Sequence, residues 1–137
     1  MKRVFVDTNI IVDLIADRRP FSQFAIEIFS KAEERKIQLY TSSHSIATTH
    51  YLLKKYIDEK ALREILHSIL DYLNIVAIDL DVIKKGLKSK HKDFEDALQI
   101  ITAYSIHKLD FIVTRNTKDF KSSEIPVLPP DEIIKFL

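Results

Sequence analysis

The chain has no cysteine and no tryptophan, and only one methionine, one glycine and four prolines among its 137 residues. Without cysteine there are no disulfides, no thiolate zinc sites and no cysteine nucleophile. A phosphate-cradling loop or a dinucleotide fingerprint needs several glycines at fixed spacing, and Gly86 stands alone. An excess of charge of one sign is missing too. With 21 basic and 20 acidic residues the formal net charge is +1, so no global field draws the protein to nucleic acid or membrane, and polyanion binding must come from local patches. No apolar run approaches the ~20 residues of a membrane span, and the run that follows Met1-Lys2-Arg3 is too short for a signal peptide. These absences lead to the expectation of a cytoplasmic protein. What is present, 46% hydrophobic and 30% charged residues, suits a globular chain that forms one domain over residues 1–137 with a full core.

The chain is organised around Val4-Phe5-Val6-Asp7-Thr8-Asn9. Three β-favouring residues end in a carboxylate, a hydroxyl and an amide, and Ile10 to Ile15 then read as the first turns of a helix. This is the first half of a βα unit, and in an open parallel sheet ligands sit beyond the carboxyl ends of the strands. Asp7 is thus placed as a functional carboxylate; that Asp7 or Thr8 merely caps the helix is the plainer alternative. Further along, Pro20 opens a helix with Phe21, Phe24, Ala25, Ile28, Phe29 and Ala32 on its inner face. Ile37–Tyr40 is a strand, a helix runs from about His44 to Tyr56, and Asp58 caps another whose buried stripe extends to Leu73. Asn74–Ile78 is a third strand, Asp79 opens a helix through Leu87, and a helix from Asp93 to about His107 leads into the strand Phe111–Thr114. Ile125–Leu128 is an edge strand because a proline removes one ladder donor, and Asp131 caps a terminal helix, Glu132–Phe136. Strands alternating with helices predict a three-layer α/β/α sandwich on a parallel sheet of four to five strands.

In Asp93-Phe94-Glu95-Asp96 the two aspartates stand three apart and share a helix face, with Glu95 pointing elsewhere. A helix that precedes a parallel strand brings its N-terminus to the sheet's carboxyl edge. Asp93 and Asp96 therefore approach the edge where Asp7 lies, and Asn116 and Asp119 follow the strand that ends there. The plainer reading of the pair is a capping box. Carboxylates gathered this closely repel unless a cation neutralises them, and an all-oxygen cluster suits Mg²⁺ or Mn²⁺. Such an ion would lower the pKa of a water and offset charge on a scissile phosphate. Thr8, Asn9 and Asn116 would then orient the ligands and the attacking water. The five histidines lack ligand spacing; His44 is nearest the expected cleft. The run Lys84, Lys85, Lys88, Lys90, Lys92 leads directly into Asp93 and reads either as a phosphate-binding patch or as a solvated face.

Val4-Phe5-Val6-Asp7-Thr8-Asn9, Asp93-Phe94-Glu95-Asp96-Ala97-Leu98 and Val113-Thr114-Arg115-Asn116-Thr117-Lys118-Asp119-Phe120 resemble, in this order, the motifs of PIN-domain nucleases, which include the VapC-type toxins. The resemblance implies a Mg²⁺- or Mn²⁺-dependent endoribonuclease acting on RNA, a small antitoxin protein as partner, and a homodimer through the helices of Phe21–Leu73. It places Asp7 and Asp96 among the metal carboxylates, with Asn116 or Asp119 at the acidic position after the fourth strand. Asp93 and Asp119 complete the expected catalytic and metal-binding set. One departure stands out: the family often has a glutamate early in its third helix, and the matching position is Thr48, a hydroxyl without charge. Asp93 is the candidate for the missing charge. Two other readings stay open. One is a nuclease-like module that only binds RNA or protein. The other is a haloacid-dehalogenase-type phosphatase, although it would need a second aspartate where this chain has Asn9.

Overall fold

The computed structural model describes residues 1–137. Five parallel strands form one sheet: β1 (Lys2–Val6), β2 (Ile37–Ser42), β3 (Leu73–Val76), β4 (Phe111–Val113) and β5 (Val127–Leu128), in the order β3-β2-β1-β4-β5. β1 is central because it can bury both faces. Val4, Phe5 and Val6 are all fully buried, and strand side chains alternate between faces. Val4 and Val6 enter the larger core, with Ile10, Ile11, Ile28, Leu39 and Leu62. Phe5 enters the smaller one, with Ile100, Ala103, Ile112 and Phe120. The first face is covered by α1 (Thr8–Ala16), α2 (Ser22–Glu33), α3 (Ser43–Leu53), α4 (Glu59–Ile69) and the short α7 (Pro130–Ile133). The second is covered by α6 (Phe94–Tyr104), against which α5 (Leu80–Lys88) packs. The expected three layers are present.

Several boundaries fall elsewhere than the pattern predicts. Leu73 begins β3 instead of closing the stripe of α4, and β3 stops at Val76 because that residue pairs with Ser42, the last of β2. Beyond that pair, the Ile78 amide donates to Ser43 Oγ at 3.1 Å. The terminal helix starts at Pro130, whose fixed φ suits a first helical position, so Asp131 lies inside the first turn and caps nothing. α2 starts at Ser22 and α3 ends at Leu53, both shorter than read.

Gly86 does not serve a turn. A Cβ there would stand 3.1 Å from Leu98 Cδ2 and 3.3 Å from the Phe94 ring. The missing side chain lets α5 lie close against the first turns of α6, the end that carries Asp96. No helix is long and apolar enough to cross a membrane.

Candidate functional site

β1 and β4 are adjacent and their onward connections leave in opposite directions, so the sheet has its topological switch point between them. At their carboxyl ends lies a cleft of about 220 Å³ lined by Asp7, Asn9, Asp96, Gln99 and Asn116, with His44 and Thr48 of α3 opposite and Arg18 at its side.

Asp7 forms the floor. Only 7% exposed, it caps α1 and is held by four donors from three segments. Its Oδ1 accepts from the Thr8 amide at 2.8 Å and from Gln99 Nε2 at 3.1 Å, and its Oδ2 accepts from Thr114 Oγ1 at 2.8 Å, with Asn9 Nδ2 at 3.5 Å. Capping and site construction are therefore one role, since the helix end and the cleft floor coincide. Thr114 is oriented in turn by the Asn116 amide at 3.1 Å and Asn9 Nδ2 at 3.2 Å, both of which donate to its hydroxyl. Gln99 is 2% exposed. It receives a bond from Ser42 Oγ at 2.5 Å and gives one to Ser45 Oγ at 2.7 Å, while Ser42 also caps α3. Thr8, half-buried, also lines the cleft, and its hydroxyl donates to Ser45 Oγ at 3.0 Å.

The lip is built differently. Asp93 is the N-cap of α6, accepting from the Asp96 amide at 2.9 Å. It therefore stands outside the helix. The helix itself presents Glu95, Asp96 and Gln99 to the cleft, with Gln99 four residues from Glu95 and three from Asp96, the spacings that share a helix face. The expectation that Glu95 points elsewhere is overturned: its carboxylate lies 3.9 Å from His44 Nε2 across the mouth. The expectation of four aspartates in one cleft is corrected as well. Asp7 and Asp96 share it, whereas Asp93 and Asp119 line an adjoining cavity on the far side of Asp96. The cause is local. Asp93 is committed to its cap, and Asp119 sits on the 3₁₀ turn Thr117–Phe120, whose Phe120 is buried in the smaller core.

Asp96 has no cationic partner. Burial, and then the charges of Asp93, Asp7, Asp119 and Glu95, push its carboxyl pKa up to about 7. A cluster that cannot comfortably hold its own charges is the electrostatic condition that a divalent cation relieves. The donors fit a hard ion: the carboxylates of Asp7 and Asp96, the Asn116 amide and the Thr48 hydroxyl all offer oxygen. No three acidic or histidine side chains converge on a common point, so the arrangement fits an ion held by one or two carboxylates and otherwise by water and substrate, the habit of Mg²⁺. Thr48 lines the cleft, and its Oγ1 lies 3.3 Å from His44 Nε2.

Sequence reasoning missed Gln99, Ser45 and the ion pair behind the floor. There Asp13 of α1, 1% exposed, accepts from Arg115 Nε at 2.7 Å and from its terminal nitrogen at 3.1 Å. The guanidinium stacks 4.2 Å from the Phe21 ring centre. A glutamine inside the otherwise apolar stripe Ala97–Ile100 was the available signal for Gln99. No spacing connects Asp13 to Arg115.

A parallel sheet with a switch-point cleft floored by Asp7 and edged by the acidic N-terminus of a helix defines a class, and comparison agrees: the PIN domain family model matches residues 3–118. The chain belongs to the PIN domain family. It is 31% identical over 136 residues to Ribonuclease VapC1 of Aquifex aeolicus (strain VF5), covering 96% of this chain and 92% of that protein. Among solved structures, a toxin–antitoxin complex from Klebsiella pneumoniae matches with a TM-score of 0.65 at 31% identity, covering 93% of this chain and 97% of that one. FitAB bound to an IR36 DNA fragment shares the fold, with a TM-score of 0.70 at 20% identity over 93% and 94% of the two chains. The phosphatase alternative does not survive the family match.

Proposed function

We propose that the protein is a Mg²⁺- or Mn²⁺-dependent endoribonuclease and the toxin of a toxin–antitoxin pair, working in the cytoplasm as a single PIN unit over residues 1–137. The observation that carries the activity is the meeting of Asp7 and Asp96 in one cleft, where burial and neighbouring carboxylates push the Asp96 carboxyl up to about 7. The likeness to Ribonuclease VapC1 supports RNA as substrate. Asp7 and Asp96 would hold the ion, with Asn116 contributing its amide oxygen directly or through water. When bound, such an ion polarises a phosphoryl oxygen and makes a water acidic enough to attack at neutral pH.

The chain's own side chains do the rest. Thr114 and Gln99 fix the rotamer of Asp7, so its oxygens need not reorganise as the reaction proceeds. Asn9 locks the loop after β4 onto α1 by accepting from the Arg115 amide at 3.3 Å. Arg18 brings a positive charge to an otherwise acidic cleft and is placed to meet substrate phosphate. His44 and Thr48 form the wall that a nucleotide would touch. Asp93 shapes the field at Asp96, and Asp119 adds charge from the far side.

Added Mn²⁺ is expected to raise the thermal midpoint of the wild type and to start cleavage of single-stranded RNA, with Asp96→Asn losing both responses. Ligand at ~100 times its dissociation constant adds ~2.7 kcal/mol. Thr48 favours a second reading, a PIN module that binds RNA or protein without cutting. Tight RNA binding with no product under Mn²⁺ would select it. The Klebsiella relative, solved as a toxin–antitoxin complex, supports a small antitoxin as partner; co-expression with the product of an adjacent small reading frame tests this. A homodimer through α2–α4 is supported by the exposed Ile26, Tyr51, Leu52 and Tyr56, and a monomeric mass by light scattering at micromolar concentration would refute it.

A further inference from the structure

On the far side of Asp96 from the cleft is a second cavity, of about 320 Å³, without a single hydrophobic residue in its wall. Lys90 and Lys92 reach it from the segment between α5 and α6, and Lys118 and Lys121 reach it from the turn after β4. Nothing in the sequence pairs these two segments; the fold does. His91 Nδ1 and Ser122 Oγ lie 2.5 Å apart and tie the segments together beside the lysines. None of the four ammonium groups takes part in a salt bridge, whereas Lys36 and Lys85 are both paired. Asp93 and Asp119 lie in the same wall, so the cavity combines four cations with anions that none of them pairs.

We propose that this cavity takes the backbone phosphate next to the scissile one in single-stranded RNA, so that the strand passes over Asp96 from one cavity to the other. The inference rests on the ribonuclease reading and extends it. Lysine suits the task, because mobile point charges accept a phosphate in any orientation and read no sequence. The two cavities share Asp96 as a common wall, so a strand occupying the cleft must leave it either here or toward α3. This exit carries four unpaired lysines against which an RNA backbone can settle. Lys84 and Lys88, exposed on α5 in the same basic run, line neither cavity. The run therefore divides into a binding half and a solvated half.

The test compares Lys92→Gln/Lys121→Gln with the control Lys84→Gln/Lys88→Gln, which removes the same charge outside the cavity. All four positions are exposed, so folding is not at stake. Binding of a fluorescent single-stranded RNA 12-mer is followed by anisotropy in EDTA across a salt series, and cleavage of the same RNA is measured in Mn²⁺. Each phosphate contact in a single strand contributes about 0.7 to the slope of log affinity against log salt. The cavity pair is expected to lower that slope by about 0.7 to 1.4 and to raise KM several-fold with kcat little changed, and the control to do neither. Equal effects in the two doubles, or none in either while the wild type still cuts, would overturn the proposal and leave the nuclease standing. RNA bound through the lysines but never cut would reverse that, removing the nuclease and keeping the cavity. A wild type that neither binds nor cuts RNA would end both.

Discussion

Asp13 is buried behind the cleft floor and Asp96 half-buried at its lip, and they are provided for in opposite ways. Asp13 has a guanidinium of its own, bidentate and stacked on Phe21. Asp96 pairs with no cation, and the charges that act on its carboxyl are those of other carboxylates. The ground behind the floor is closed, with every charge answered from within the chain, and serves to hold α1 to the loop after β4. The lip is left electrostatically incomplete. The difference separates a structural carboxylate from one that awaits something outside the chain, and it does so without reference to any relative.

The largest expected effect strikes the closed region. Arg115→Ala strands a buried Asp13 and should cost about 3–5 kcal/mol, read from the denaturant midpoint. Replacing both partners, Asp13→Leu with Arg115→Met, should recover most of that loss; a double variant as weak as the single one would break the contrast. At the lip the same kind of change should cost activity and not stability. Asp96→Asn is expected to lower kcat/KM about 100-fold or more, equivalent to about 2.7 kcal/mol of transition-state stabilisation, with an unchanged or raised midpoint in metal-free buffer. Gln99→Leu joins the two regions. It removes donors from Asp7 and Ser45 and the acceptor of Ser42, for about 1–3 kcal/mol of stability and a roughly 10-fold loss in rate.

The smallest effect is a slope. The Asp96 carboxyl titrates at about 7 in the folded chain, above its ordinary 3.8, so the folded state holds more protons than the unfolded one between those values. Stability of the metal-free protein should therefore be greatest at the acid end of this window and fall as pH rises through it. Asp96→Asn should lack this component of the fall, and saturating Mn²⁺ should suppress it in the wild type. Asp93→Asn should bring the Asp96 titration down further than Asp7→Asn does, because the Asp93 charge acts on it more strongly. A carboxyl NMR titration of the two variants decides the order.

What could be read in the sequence follows from how local each feature is. The strand ending in Asp7, the acidic start of α6 and their meeting at one sheet edge follow from hydrophobic period and chain direction, and the structure bears them out. The face of α6 was misjudged by treating Asp93 as a helical residue. It is a cap, so Glu95 and Gln99 stand on the cleft side with Asp96. Gln99 was lost among apolar neighbours because polarity at one position does not reveal what it will meet. Asp13 with Arg115, 102 residues apart, and the lysines gathered from two segments are products of tertiary folding alone.

The position of β1 between β2 and β4 also has a consequence in time. Asp7 is made well before Gln99 and Thr114, two of the donors that fix it. β1 meanwhile waits with one edge unpaired until Phe111–Val113 arrives. A chain that stops short of Thr114 therefore carries the first carboxylate without the donors that fix it. Long-range closures of this kind are slow steps in folding, and here the slow step coincides with completion of the site.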